Sequence, residues 1–86
     1  MLITKLAELP ERTVLDEAEL ADVLGVQKRT VRRMVQRGEL PPPVRFGGRS
    51  TWQIGGILRH YEARADKAAR DAERQAVARA RHVATL

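Results

Sequence analysis

Cysteine is absent from the chain, and its aromatic residues are a single Trp, a single Tyr and a single Phe. The first absence excludes disulfides, iron–sulfur clusters and thiolate zinc sites. The second means that any core must be built mainly from aliphatic side chains. Nothing in the chain approaches the ~18 consecutive apolar residues of a membrane span, and the opening segment, MLITKLAELPERT, holds no apolar run suited to a secretory signal. A cytoplasmic location is therefore the expectation. Among the charges acid is the minority sign, with 11 Asp and Glu against 16 Lys and Arg, a formal net charge of +5 and a pI of about 10.7. That balance favours polyanionic partners, nucleic acid first and an anionic membrane surface second.

The length of 86 residues allows one small domain and an appendage. A domain of ~60 residues buries only about 60% of its unfolded surface, so any catalytic cleft would be shallow. With 31% charged and 43% hydrophobic residues, the composition still suits a folded protein. Catalytic patterns are missing too. His60 and His82 lie far apart with no HExxH arrangement near them, the Gly-Gly pairs lack the rest of a nucleotide-binding fingerprint, and no Ser or Thr has a His-and-carboxylate set around it. The chain reads as a non-enzyme with no metal, cofactor or small-molecule substrate.

What is present begins with Met1 to Leu9, apolar with scattered charges, which suits either a short strand or a helical turn. Thr13 to Leu15 read as extended. Asp16 followed by Glu19 matches a capping box, so a helix is predicted from about Glu17 to Leu24, with Leu20, Ala21 and Leu24 on one face and Gly25 at its left-handed end. A second helix follows after a short turn, about Lys28 to Arg37. At ~100° per residue its apolar stripe is Val31, Met34 and Val35, while Arg29, Arg33 and Gln36 point the other way with Arg32 beside them. A solvated charged face would look similar. Lys28 and Arg29, however, stand at the helix N-terminus, where the macrodipole disfavours cations, and this points to an external anion. A short helix after a tight turn suits the major groove of DNA, where arginine can read guanine with two hydrogen bonds.

Gly38 ends that helix, Leu40 packs back against it, and Pro41 to Pro43 force an extended exit. The segment VRFGGRSTW then reads as two short strands around Gly47-Gly48. A two-residue turn there would set Arg45 opposite Ser50 and Val44 opposite Thr51. From Ile54 to about Val83 the chain is Ala-rich and helical in propensity, with Gly55-Gly56 expected to act as a hinge near its start. Leu58, Tyr61, Ala65, Ala69, Ala72, Ala76, Ala80 and Val83 form a nearly straight stripe. Three uses are open to it: packing on the preceding domain through Ile57, Leu58 and Tyr61, self-association, or docking a protein partner. The stripe has too few large apolar residues for membrane insertion.

The order of these small motifs, DEAELADVLGVQKRTVRRMVQRGELPPPVRFGGRSTW from helix through "LGV", "RTV" and "GELP" to the "GGR" turn and Trp52, resembles the MerR-like winged helix-turn-helix of phage and mobile-element excisionases, the recombination directionality factors. The resemblance covers about Val14 to Trp52. It implies a mainly α fold with a small β-hairpin wing and a C-terminal helix. Residues 10–63 would form the winged helix-turn-helix and 64–86 an Ala-rich tail. It implies DNA contact from Gln27, Lys28, Arg29, Thr30, Arg32 and Arg33 in the recognition helix and from Arg45, Gly47, Gly48, Arg49 and Ser50 in the wing. Trp52, Leu20, Leu24, Val31, Met34 and Leu40 would be core, and Leu58, Tyr61, Ala65, Ala69, Ala72 and Ala76 would serve self-association or a partner.

The chain departs from that pattern at Gln27, where a Ser, Thr or Asp cap is usual, and at Gly55-Gly56, which replaces an acidic start to the last helix. The function implied is binding of tandem double-stranded DNA sites in a bacterial host, with bending of the DNA, a cooperative filament and a bias of an integrase toward excision. A transcriptional regulator of mobile-element genes is the alternative on the same fold, and an adaptor that binds a protein through its tail is a third reading.

Overall fold

A computed structural model describes residues 4–85 of the chain. Within the segment that suited strand or helical turn, Thr4–Ala7 form one helical turn, α1; Met1 to Ile3 lie outside the described residues. Strand β1 (Val14–Asp16) leads into α2 (Glu17–Leu24), and α3 (Lys28–Gln36) follows after a three-residue turn. Strands β2 (Val44–Phe46) and β3 (Arg49–Gln53) form a hairpin, and α4 (Ile54–Thr85) completes the chain. Helix α3 ends one residue before the predicted Arg37.

Local chemistry accounts for these boundaries. The Asp16 carboxylate accepts the Glu19 amide at 2.9 Å while the Glu19 carboxylate accepts the Asp16 amide at 3.0 Å, so the capping box is complete. Gly25 (φ 70°) and Gly38 (φ 77°) each sit in the left-handed region just past a helix. In both places paired backbone bonds close a Schellman motif: Val26 to Ala21 and Gly25 to Asp22 after α2, Glu39 to Met34 and Gly38 to Val35 after α3. Gly47 and Gly48 both have positive φ, 59° and 76°, as a two-residue hairpin turn of matching twist requires. The resulting register sets Val44 opposite Thr51 and Arg45 opposite Ser50, as the two-residue turn predicts.

The three strands form an antiparallel sheet in the order β1-β3-β2. Leu15 of β1 faces Trp52 of β3, and both point into a core that also holds Leu20, Leu24, Val31, Met34, Leu40, Ile54 and Ile57. Every core residue expected from the sequence is buried. Leu6 of α1 is fully buried in the same cluster. The Trp52 ring nitrogen is satisfied by donating to the Pro41 carbonyl at 2.9 Å. Two helices joined by a tight turn, a three-stranded sheet with a protruding hairpin and a long last helix make this a winged helix-turn-helix.

The expectation of a hinge at Gly55-Gly56 is corrected by the structure, since both glycines lie in the first turn of α4, which runs on without a break. The reason is backbone capping from a distance. The Ile54 amide donates to the Thr13 carbonyl at 2.9 Å and the Gly55 amide to the Glu11 carbonyl at 2.8 Å, so N-terminal amides that would otherwise need an acidic cap are satisfied. Gly55 is buried there, and an added Cβ would lie 3.3 Å from the Glu11 carbonyl oxygen.

Candidate nucleic-acid interface

Helix α3 stands on the core through Val31 and Met34, which turns its opposite side to solvent. Arg29 and Arg33 are exposed there, Lys28 and Arg32 are exposed beside them, and Thr30 is half-buried. Gln27 occupies the N-cap position in extended conformation and makes no side-chain cap bond, so its exposed amide is available to an outside group. The Lys28 end of α3 faces the wing. A groove of about 410 Å³ is lined by Lys28, by Asp16, Glu17 and Ala18 at the start of α2, and by Arg45, Arg49 and Ser50 of the hairpin. Of the residues singled out, Lys28 of the helix thus shares this groove with Arg45, Arg49 and Ser50 of the wing, while Gln27, Arg29, Thr30, Arg32, Arg33, Gly47 and Gly48 lie outside its lining.

The cations of α3 and the wing differ in how they are held. Arg45 folds back over the turn, donating to the Gly48 carbonyl at 3.1 Å and to the Ser50 hydroxyl at 3.4 Å. Arg49 pairs with Asp16 through one nitrogen at 3.2 Å. Arg32 is gripped by Glu17 through three hydrogen bonds of 2.9 to 3.2 Å. Lys28, Arg29 and Arg33 have no carboxylate partner among the described residues and carry an uncompensated positive charge. Two electrostatic consequences follow. The Glu19 amide, helped by Arg49, holds the Asp16 carboxyl below its ordinary 3.8, and the Glu17 hydrogen bonds and charge hold Arg32 still more firmly protonated.

The roles of Glu17 and Asp16 at this surface are absent from the sequence reading. Glu17 and Arg32 are fifteen positions apart, on different helices, so no helical spacing links them. The Asp16 cap is legible, but its second oxygen reaching the wing depends on the sheet register. Phe46, 78% exposed, and Val44 also stand out on the wing, because the outer face of the hairpin has nothing packed on it.

The tail residues lie apart from this groove. Leu58 packs at the edge of the core, Tyr61 is 53% exposed, and Ala65, Ala69, Ala72 and Ala76 are exposed. None of the alanines packs against the winged domain. Just before them, His60 Nε2 and Arg64 Nη1 both reach the Gly38 carbonyl, at 2.7 and 2.8 Å, which joins α4 to the end of α3. Among the described residues no cluster of His, Cys, Asp or Glu fits a metal, and no helix is long and apolar enough to cross a membrane.

Residues 14–54, from β1 to the first residue of α4, match the model of a family described as a helix-turn-helix domain. No curated protein and no solved structure matches the chain. The family match and the geometry agree on the same segment, and both point to double-stranded DNA as the partner.

Proposed function

We propose that the chain is an excisionase-type DNA-binding protein, which binds tandem sites cooperatively, bends the DNA and directs integrase-mediated recombination toward excision. The observation that carries the DNA-binding part is the groove shared by Lys28 of α3 and by Arg45, Arg49 and Ser50 of the wing. On this reading α3 would enter the major groove and the basic hairpin would meet the adjoining backbone. The excisionase part draws on the motif order from Val14 to Trp52. One copy offers few phosphate contacts, and each neutralised phosphate adds only about −0.9 to the log–log salt slope. Weak single-site binding makes repeated sites and DNA deformability the natural sources of specificity.

The exposed alanine stripe of α4 supports a second reading, a transcriptional regulator that dimerises through its tail. Small residues let helices approach closely but bury little area, at about 25 cal/mol per Å². A gel-shift titration on a selected site, comparing one, two and four direct repeats with inverted repeats at fixed salt, separates the two. Steep repeat-dependent binding with increasingly bent complexes is expected for the excisionase reading. Equal affinity per site, or preference for inverted repeats, would favour the regulator. In either case Arg49→Ala is expected to weaken binding several-fold on most sequences.

A further inference from the structure

Glu17, the first residue of α2, reaches Arg32 on α3 across the interhelical turn. Arg32 Nε donates to both Glu17 carboxylate oxygens at 3.2 Å, and Nη2 donates to Oε1 at 2.9 Å. A guanidinium can offer a side edge, Nε with Nη2, and an end edge, Nη1 with Nη2, to a pair of acceptors. Glu17 fills the side edge. The end edge has no partner among the described residues, and the side chain is 63% exposed. Two parallel donors in that arrangement match O6 and N7 of guanine in the major groove.

We propose that Glu17 is a specificity-determining positioning residue, which holds Arg32 so that only its end edge is offered and thereby makes Arg32 a reader of guanine rather than a binder of phosphate. The inference rests on the DNA-binding reading of α3. Two physical effects act together. A long side chain already fixed by Glu17 loses less rotamer freedom on meeting a base. The carboxylate also offsets the charge of Arg32, which removes most of its contribution to sequence-independent attraction. Arg29 and Arg33, without a carboxylate partner among the described residues, are left to supply that attraction. Arg49 is held through a single nitrogen, a weaker constraint on orientation.

The test measures binding of the full chain to a selected duplex, to variants with each G·C pair replaced in turn, and to a random duplex, over a range of salt. Glu17→Gln is expected to bind the random duplex several-fold more tightly, with a salt slope steeper by about 0.9. It should also lose roughly ten-fold discrimination at one G·C pair. Arg32→Ala should lose discrimination at that same pair, and the double variant should lose no more there. Glu17→Asp keeps the negative charge at the start of α2 but is too short for the same grip, so its discrimination should fall while its melting temperature is retained. Full discrimination in Glu17→Gln and Glu17→Asp, or a loss of affinity that is uniform over all duplexes, would overturn the role of Glu17. Wild-type protein that binds no duplex would instead overturn the DNA-binding reading itself.

Discussion

Asp16 serves two partners with two oxygens: one accepts the Glu19 amide at the start of α2, and the other meets Arg49 on the wing. Its carboxyl is held below the ordinary 3.8, chiefly by the amide. A group with a depressed folded pKa stabilises the fold fully above its unfolded value and ceases to do so as pH falls through the folded one. Acid denaturation followed by circular dichroism should therefore show a component below about pH 4 that Asp16→Asn lacks. Removing the cap altogether, in Asp16→Ala, is expected to lower the melting temperature by about 5 °C. Phe46 presents the opposite case. Since it touches little, Phe46→Ala should change stability by less than about 0.5 kcal/mol in chemical denaturation, so that any loss of DNA binding in this variant reports on the wing surface and not on folding.

Among the elements, the glycines of α4 separate propensity from packing. Both are helical, so alanine at either position is favoured by up to about 1 kcal/mol on propensity alone. Gly56 has open space around an added Cβ, whereas at Gly55 the methyl would crowd the Glu11 carbonyl and the Arg59 side chain. Gly56→Ala should raise the denaturation midpoint and Gly55→Ala should lower it. The same contrast explains what was legible from the sequence. The ends of α2 and the hairpin register were readable because their causes are local: Asp16 with Glu19, Gly25 and Gly47-Gly48 each act within a few residues. The unbroken start of α4 was not, because Glu11 and Thr13 reach its amides only after β1 pairs with β3. The Glu17 grip on Arg32 was hidden for a like reason, since it exists only once α2 and α3 have crossed. Helix and wing residues could be marked as basic from sequence, but the meeting of Lys28 with Arg45 and Arg49 in one groove required the fold.

As a whole the molecule is elongated, 60 × 24 × 21 Å with a radius of gyration of 17.2 Å. A compact chain of this length would have a radius near 12 Å. The excess comes from α4, whose residues beyond Tyr61 bury almost nothing. Deleting residues 65–86 should bring the radius measured by small-angle X-ray scattering close to that compact value while leaving the thermal midpoint within a few degrees. If self-association resides in the tail, the same deletion abolishes cooperativity between repeated sites and leaves single-site affinity unchanged.

Helix α4 spans about 48 Å at 1.5 Å per residue, and it is anchored near one end only, where Ile54 and Ile57 enter the core and His60 and Arg64 hold the Gly38 carbonyl at the end of α3. Mechanically this is a lever with a short arm inside the domain and a long arm outside it. A tilt of about 10° about that anchor moves the far tip, roughly 30 Å beyond Arg64, by about 5 Å but moves the fulcrum hardly at all. Any force applied at the tip is delivered as torque at the Gly38 end of α3, where a small rotation would tilt that basic helix against the core.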